Sequence, residues 1–214
     1  MLHFLHADQL HTMPALRDTM FRDRADQFRT RLGWEVTVTE DGEERDQYDA
    51  LNPLYVIWET AEGRHGGSMR FLPTTGQTMI NDHFLSLLQG RPLHNDRIWE
   101  CTRFCLARGA EARVSAALML GGAELGLGRG LDFSVGVFDA RMVRIYARLG
   151  WSPAILGSEG EGRAAISAGL WHYSEAVADR LAIAAGIPRA RSRSWYHLAM
   201  DRALRIGRPQ LVAG

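Results

Sequence analysis

Charged side chains stand inside segments that the surrounding residues mark as apolar, and this limits the fold more than any other feature of the chain. From Thr12 to Leu32, Leu16, Met20, Phe21, Phe28 and Leu32 recur at helical spacing, which predicts a helix with Thr12 as N-cap, Pro14 in the first turn and Gly33 after the end. The row Leu16, Met20, Arg24, Phe28 sets a guanidinium within the apolar stripe instead of opposite it. Arg70 falls in the middle of Gly66 to Leu72, read as a third strand, and Glu100 and Arg103 interrupt Ile98 to Leu106, read as a fourth strand buried on both faces. Strict alternation points Glu100 and Arg103 to opposite faces, so they share one cleft only if the strand bulges between them. A snorkelling arginine or a plain structural ion pair accounts for each charge singly. One shared polar cleft accounts for them together.

An unpaired buried guanidinium costs several kcal/mol, so carboxylates are expected to fold in over such a cleft. The acidic loop Glu40 to Asp49 offers Asp46 and Asp49, spaced D-x-x-D. No His or Cys lies near them, so they read as partners for arginine and not as metal ligands.

The chain has 214 residues with 25 acidic and 25 basic side chains, and every basic one is arginine. Without lysine there is neither a Schiff-base amine nor a P-loop lysine, which removes two large enzyme classes. Zero net charge gives no global attraction to nucleic acid. Cys101 and Cys105 read as buried free thiols. No basic-then-apolar leader stands at Met1 to Arg24 and no apolar run reaches about eighteen residues, so a cytoplasmic protein without a membrane or nucleic-acid partner is expected.

Further strands are predicted at Trp34 to Thr39, Leu54 to Trp58, Leu131 to Phe138, Trp151 to Leu156 and Ala164 to Leu170. Helices are predicted from Met79 to Leu88, Ala112 to Leu125, Asp139 to Leu149 and Ser174 to Ala185, with the Gly-rich stretch Gly126 to Gly130 outside them. The alternation lacks a regular βαβ period, which gives one α/β domain on a central mixed sheet over residues 1–205, with a frayed tail beyond.

The ordered set Arg24, Phe28, Trp34, Asp46, Asp49, GSMRFLPTTG with Arg70, Phe84 and WECTRF with Glu100 and Arg103 resembles the LuxI-type acyl-homoserine-lactone synthases. MVRIYARLGW and SAGLWHYSEAVADRLAIAAGI extend the likeness over roughly residues 1 to 200. The resemblance implies a GNAT-like mixed sheet splayed between the fourth and fifth strands and flanked by helices. It implies transfer of an acyl chain from acyl carrier protein, or from coenzyme A in some members, to the amine of S-adenosylmethionine. The product then lactonises to a quorum-sensing signal, methylthioadenosine leaves, and no cofactor takes part.

On that resemblance Glu100 is the general base, since an α-ammonium of pKa roughly 8 must lose its proton before it attacks a thioester. Arg24, Phe28 and Trp34, within the N-terminal segment 1–50, form the S-adenosylmethionine pocket, the two rings by stacking or cation–π contact. Core packing is the commoner fate of such rings. Asp46, Asp49, Arg70 and Arg103 hold the amino-acid end and lock the N-terminal segment over it, and Phe84 lines the pocket. Gly136 falls where members preferring 3-oxo chains tend to carry Thr, so a 3-unsubstituted donor and a widened tunnel are expected.

GNAT enzymes grip coenzyme A with an R-x-x-G-x-G/A loop, which has no match in Arg108 to Val114, so a carrier-protein donor is favoured. Arg141, Arg144 and Arg148 share one helix face suited to an acidic carrier, although a solvated face is the commoner reading. Two alternatives stand beside this function: a GNAT-like N-acyltransferase using acyl-CoA and another amine, and a non-catalytic small-molecule-binding module.

Overall fold

The computed structural model describes residues 1–206, with side chains through Arg202. Seven strands, β1 (Leu2–His6), β2 (Leu54–Glu59), β3 (His65–Pro73), β4 (Ile98–Leu106), β5 (Phe133–Asp139), β6 (Ala154–Glu159) and β7 (Ile166–His172), form one sheet in the order β1-β2-β3-β4-β5-β7-β6. Only β4 and β5 pair in parallel. The helices are α1 (Pro14–Ala25), α2 (Met79–His83), α3 (Arg113–Arg129), α4 (Ala140–Leu149), α5 (Glu175–Ala185) and α6 (Arg189–Ile206).

β2 is apolar without alternation because it is covered on both faces. Leu54, Val56 and Trp58 pack toward α3, while Tyr55 and Ile57 join Leu16, Met20 and Phe21 of α1 on the other side. A third cluster of Ile80, Leu87, Ile98, Val135 and Ala168 lies beneath α2. α3 runs through Gly126 and Gly128 to Arg129, beyond the predicted end, because the rings of Tyr173 and Tyr196 pack where side chains would stand; a Cβ at Gly126 would come within 2.3 Å of the Tyr173 ring.

Several local expectations differ from the structure. Thr12 ends a 3-10 turn and donates its hydroxyl to the Gln9 carbonyl at 2.8 Å, so α1 begins after Met13. The predicted strand Trp34 to Thr39 joins no strand of the sheet and forms only the isolated bridge Val38 to Glu44. The helix over Met79 to Leu88 breaks at Phe84 into α2 and a 3-10 turn. β1 and α6 went unread. α6 continues past Arg202 to Ile206, and the rest of the predicted frayed tail, 207–214, lies outside the described residues.

The sheet splays where the resemblance implies. β4 pairs with β5 only at Ile98, Trp99 and Glu100, opposite Phe133, Ser134 and Val135. On its other edge, Ser68 pairs with Cys105 and Arg70 with Thr102, so Arg103 and Phe104 of β4 oppose the single residue Met69: a bulge. Arg103 there has φ +54°, a left-handed conformation that a side chain adopts at some strain. The β4 groups that β5 leaves unpaired are met by the N-terminal segment. α1 widens into a π-helical turn, Asp26–Arg31, in which the Gln27 amide donates to the Phe104 carbonyl and accepts from the Leu106 N–H, each at 2.8 Å.

Candidate active site

Three arginines from three elements and three carboxylates from one loop interlock beneath the π-helical turn. Arg24 of α1 donates Nε to Glu44 at 2.6 Å and both terminal nitrogens to Asp49 at 3.0 Å. Arg70 of β3 reaches both oxygens of Asp46, at 2.5 and 2.9 Å, and Asp49 at 2.8 Å. Arg103 bridges Glu44 at 2.9 Å and Asp46 at 2.8 Å. Each guanidinium touches two carboxylates and each carboxylate two guanidiniums, so the buried charge cancels.

The loop holds its own shape, with Asp46 capping a 3-10 turn, Gln47–Leu51, and Asp49 accepting the Asp46 N–H at 2.9 Å. Burial alone would raise the Asp49 carboxyl, but Arg24 and Arg70 outweigh it and hold it well below the usual range. Tyr55 adds a hydroxyl to Asp49 at 2.5 Å.

Glu100 is 1% exposed and accepts the backbone N–H groups of Met79 at 3.0 Å and Ile80 at 2.6 Å, the first of α2. Burial pushes its carboxyl up to about 7, against those two hydrogen bonds and Arg70, which act downward. The bulge lets Glu100 and Arg103 meet at one residue: Glu100 holds the Met79 N–H, while Arg103 Nη1 lies 3.9 Å from the Met79 sulfur.

A cavity of about 430 Å³ passes through the gap between β4 and β5. At one end stand Phe28, Trp34 and Arg103; at the other, Met119, Tyr146, Trp151, Trp171 and Tyr173. Phe28 and Trp34 stack with ring centroids 5.2 Å apart and planes 11° apart, and Arg103 lies over the Phe28 ring at 5.3 Å. Trp34 is 43% exposed, so it is a wall residue and not part of the core. Phe84 and Gly136 line the cavity as well.

The sequence-predicted residues therefore separate into two groups. Phe28, Trp34, Phe84, Arg103 and Gly136 face the cavity. Arg24, Arg70, Asp46, Asp49 and Glu100 stand behind its wall, and Arg24, assigned to the pocket itself, is fully buried between Glu44 and Asp49. Gly136 does not widen the tunnel as expected: a Cβ there would lie 2.8 Å from the Cys101 carbonyl oxygen, so the glycine admits the neighbouring backbone. Arg141, Arg144 and Arg148 are exposed on α4, with Arg141 held by Asp139, the α4 N-cap. Ile145 of α4 is also partly open to solvent, at 38% exposure.

Glu44 was missed, as were Gln27 and the aromatic far end of the cavity. Counting charges does not expose Glu44, because Asp46, Asp49 and Glu100 already balance the three interior arginines on paper.

Residues 8–181 match the autoinducer synthase family model. An acyl-homoserine-lactone synthase of Rhizobium etli is 41% identical over 179 residues, 80% of this chain and 84% of that relative. One of Agrobacterium fabrum is 35% identical over 159 residues, 70% and 75% of the two chains. Among solved structures, the CoA-dependent acyl-homoserine lactone synthase BjaI, with SAM and isopentyl-CoA, superposes with a TM-score of 0.79 over 91% of this chain and 99% of its own, at 23% identity. The fold is GNAT-like, and this chain belongs to the autoinducer synthase family, with the activity of an acyl-homoserine-lactone synthase, an acyltransferase.

Proposed function

We propose that the enzyme acylates the amine of S-adenosylmethionine and then closes the lactone with release of methylthioadenosine, taking its acyl chain from acyl carrier protein. The observation that carries this reading is the single cavity joining Phe28, Trp34 and Arg103 to an apolar end at Tyr146 and Trp171 through the split sheet. A cationic sulfonium with an adenine suits the stacked rings at the first end, and an acyl chain suits the second.

Glu100 acts as proton acceptor for the α-ammonium. A carboxyl near 7 matches that task, and its burial calls for a water between it and the amine. The freed amine attacks the thioester carbon, the amide forms and the donor thiol leaves. The carboxylate of the acylated intermediate then displaces methylthioadenosine from its own γ-carbon. Arg24, Arg70, Asp46, Asp49 and Glu44 act as positioning residues that hold α1 and the acidic loop over the cavity, while Arg103 links them to its wall.

Exposed Arg141 and Arg163 at the cavity rim, with Arg144 and Arg148 farther along α4, form a basic surface for an acidic carrier. Coenzyme A is the second reading, since BjaI was solved with an acyl-CoA. Incubation with S-adenosylmethionine and matched acyl-carrier and acyl-CoA donors, following methylthioadenosine and product mass, tests the proposal. Equimolar methylthioadenosine and acyl-homoserine lactone is expected, faster from the carrier. Acylation of other amines without methylthioadenosine would overturn it.

A further inference from the structure

The end of the cavity lined by Met119, Tyr146, Trp151, Trp171 and Tyr173 is mostly aromatic and apolar, and among the hydroxyls on its wall that of Tyr173 is the one both buried and unpaired among the described residues. Tyr173 is 5% exposed and lines the cavity, and its hydroxyl finds no hydrogen-bond partner among the described residues. Ser134 of β5, also on the cavity wall, stands close to it but outside hydrogen-bond geometry. An unpaired buried hydroxyl is costly, and such a group is uncommon unless something else satisfies it.

The hydroxyl is also held in place. The Tyr173 ring sits against Gly126, where even a methyl group would come within 2.3 Å, and 5.6 Å from the Trp151 ring. Its backbone N–H is fixed to the Asp132 carbonyl at 3.0 Å. Burial keeps the phenol protonated, so it stands ready as a donor. A plain alkyl chain filling this end would seal the hydroxyl away without a partner. A chain with an oxygen at that depth would accept its proton and reach Ser134 as well.

We propose that Tyr173, with Ser134, reads an oxygen substituent on the acyl chain, so that the preferred donor carries a hydroxyl or carbonyl group beyond its thioester carbon. This rests on the acyl-homoserine-lactone synthase reading above and names the substrate class of the same cavity. Gly136 offers no side chain for such contact, and the reader lies two residues back along β5 and across on the segment after β7.

The test compares matched acyl donors on one carrier: decanoyl, 3-oxodecanoyl, 3-hydroxydecanoyl, 10-hydroxydecanoyl and 3-(4-hydroxyphenyl)propanoyl, the last against 3-phenylpropanoyl. At least one oxygenated donor is expected to exceed its unsubstituted match in kcat/KM by about tenfold or more. In Tyr173→Phe that ratio falls toward one, while the melting temperature of the free enzyme does not drop, because the hydroxyl has no partner to lose. Unsubstituted donors favoured throughout, an unchanged ratio in Tyr173→Phe, or a lowered melting temperature in that variant would each overturn the inference. Absence of methylthioadenosine with every donor would instead overturn the functional reading itself.

Discussion

Arg24 and Arg70 close on one oxygen: Oδ1 of Asp49 accepts from Arg24 at 3.0 Å and from Arg70 at 2.8 Å. One arginine belongs to α1 and the other to β3, so this carboxylate fastens the N-terminal helix to the sheet. Asp49→Ala leaves two buried guanidiniums short of an anion. A loss of about 3–5 kcal/mol in unfolding free energy is expected by denaturant titration. A loss below about 1 kcal/mol would show that the network does not act as a clamp.

The same carboxylate sets a pH dependence. Its folded pKa lies below the ordinary value of 3.8, so its stabilising contribution is complete above that value and is lost as pH falls further. Glu100 acts with the opposite sign: its pKa rises from 4.5 to about 7, so the stability it adds is present below pH 4.5 and is lost as pH climbs through 7. Unfolding curves for wild type and Asp49→Asn are therefore expected to converge at acid pH. A constant gap down to pH 2 would contradict this.

Trp34→Ala separates a pocket ring from a core ring. Its side chain is 43% exposed and stacks only on Phe28, so a stability loss well under the roughly 3–5 kcal/mol of a buried tryptophan is expected. Calorimetry should show S-adenosylmethionine binding weakened about tenfold or more. Unchanged affinity with a large loss of stability would return Trp34 to the core.

The interior charges were legible because burial of charge has few solutions: Arg24, Arg70, Glu100 and Arg103 stood out against apolar neighbours, and the bulge followed from bringing two of them together. Glu44 was hidden because local sequence does not separate it from Glu40 and Glu43 in the same acidic loop. The alternation of Trp34 to Thr39 suggested a strand, but alternation does not supply a neighbouring edge. α6 opens with an arginine-rich turn, and its contact with β1 depends on Tyr196 meeting Phe4, a pairing that sequence spacing does not show. Nothing in the spacing of Tyr146, Trp151 and Trp171 separates a cavity wall from a packed core, and it is the split between β4 and β5 that makes them a wall.

For the basic face of α4, the triple change of Arg141, Arg144 and Arg148 to Glu is expected to raise the apparent KM for an acyl-carrier donor about tenfold and to flatten its salt dependence. The KM for S-adenosylmethionine should stay within about twofold. Equal KM values for wild type and variant with the carrier would leave α4 a solvated face.

The most direct test is the pH dependence of methylthioadenosine release by wild type and Glu100→Gln at saturating substrates. Wild-type turnover is expected to fall below a pKa near 7, as the Glu100 carboxylate takes up its proton. The variant should lose about two to four orders of magnitude in turnover and lack that limb. Because both Glu100 oxygens accept backbone N–H groups, an amide there faces donor to donor, so a concurrent stability loss of about 1–3 kcal/mol is expected, and the rates must be read where both proteins are folded. A folded Glu100→Gln enzyme with near-wild-type turnover and the same acid limb would contradict the assignment of the proton acceptor.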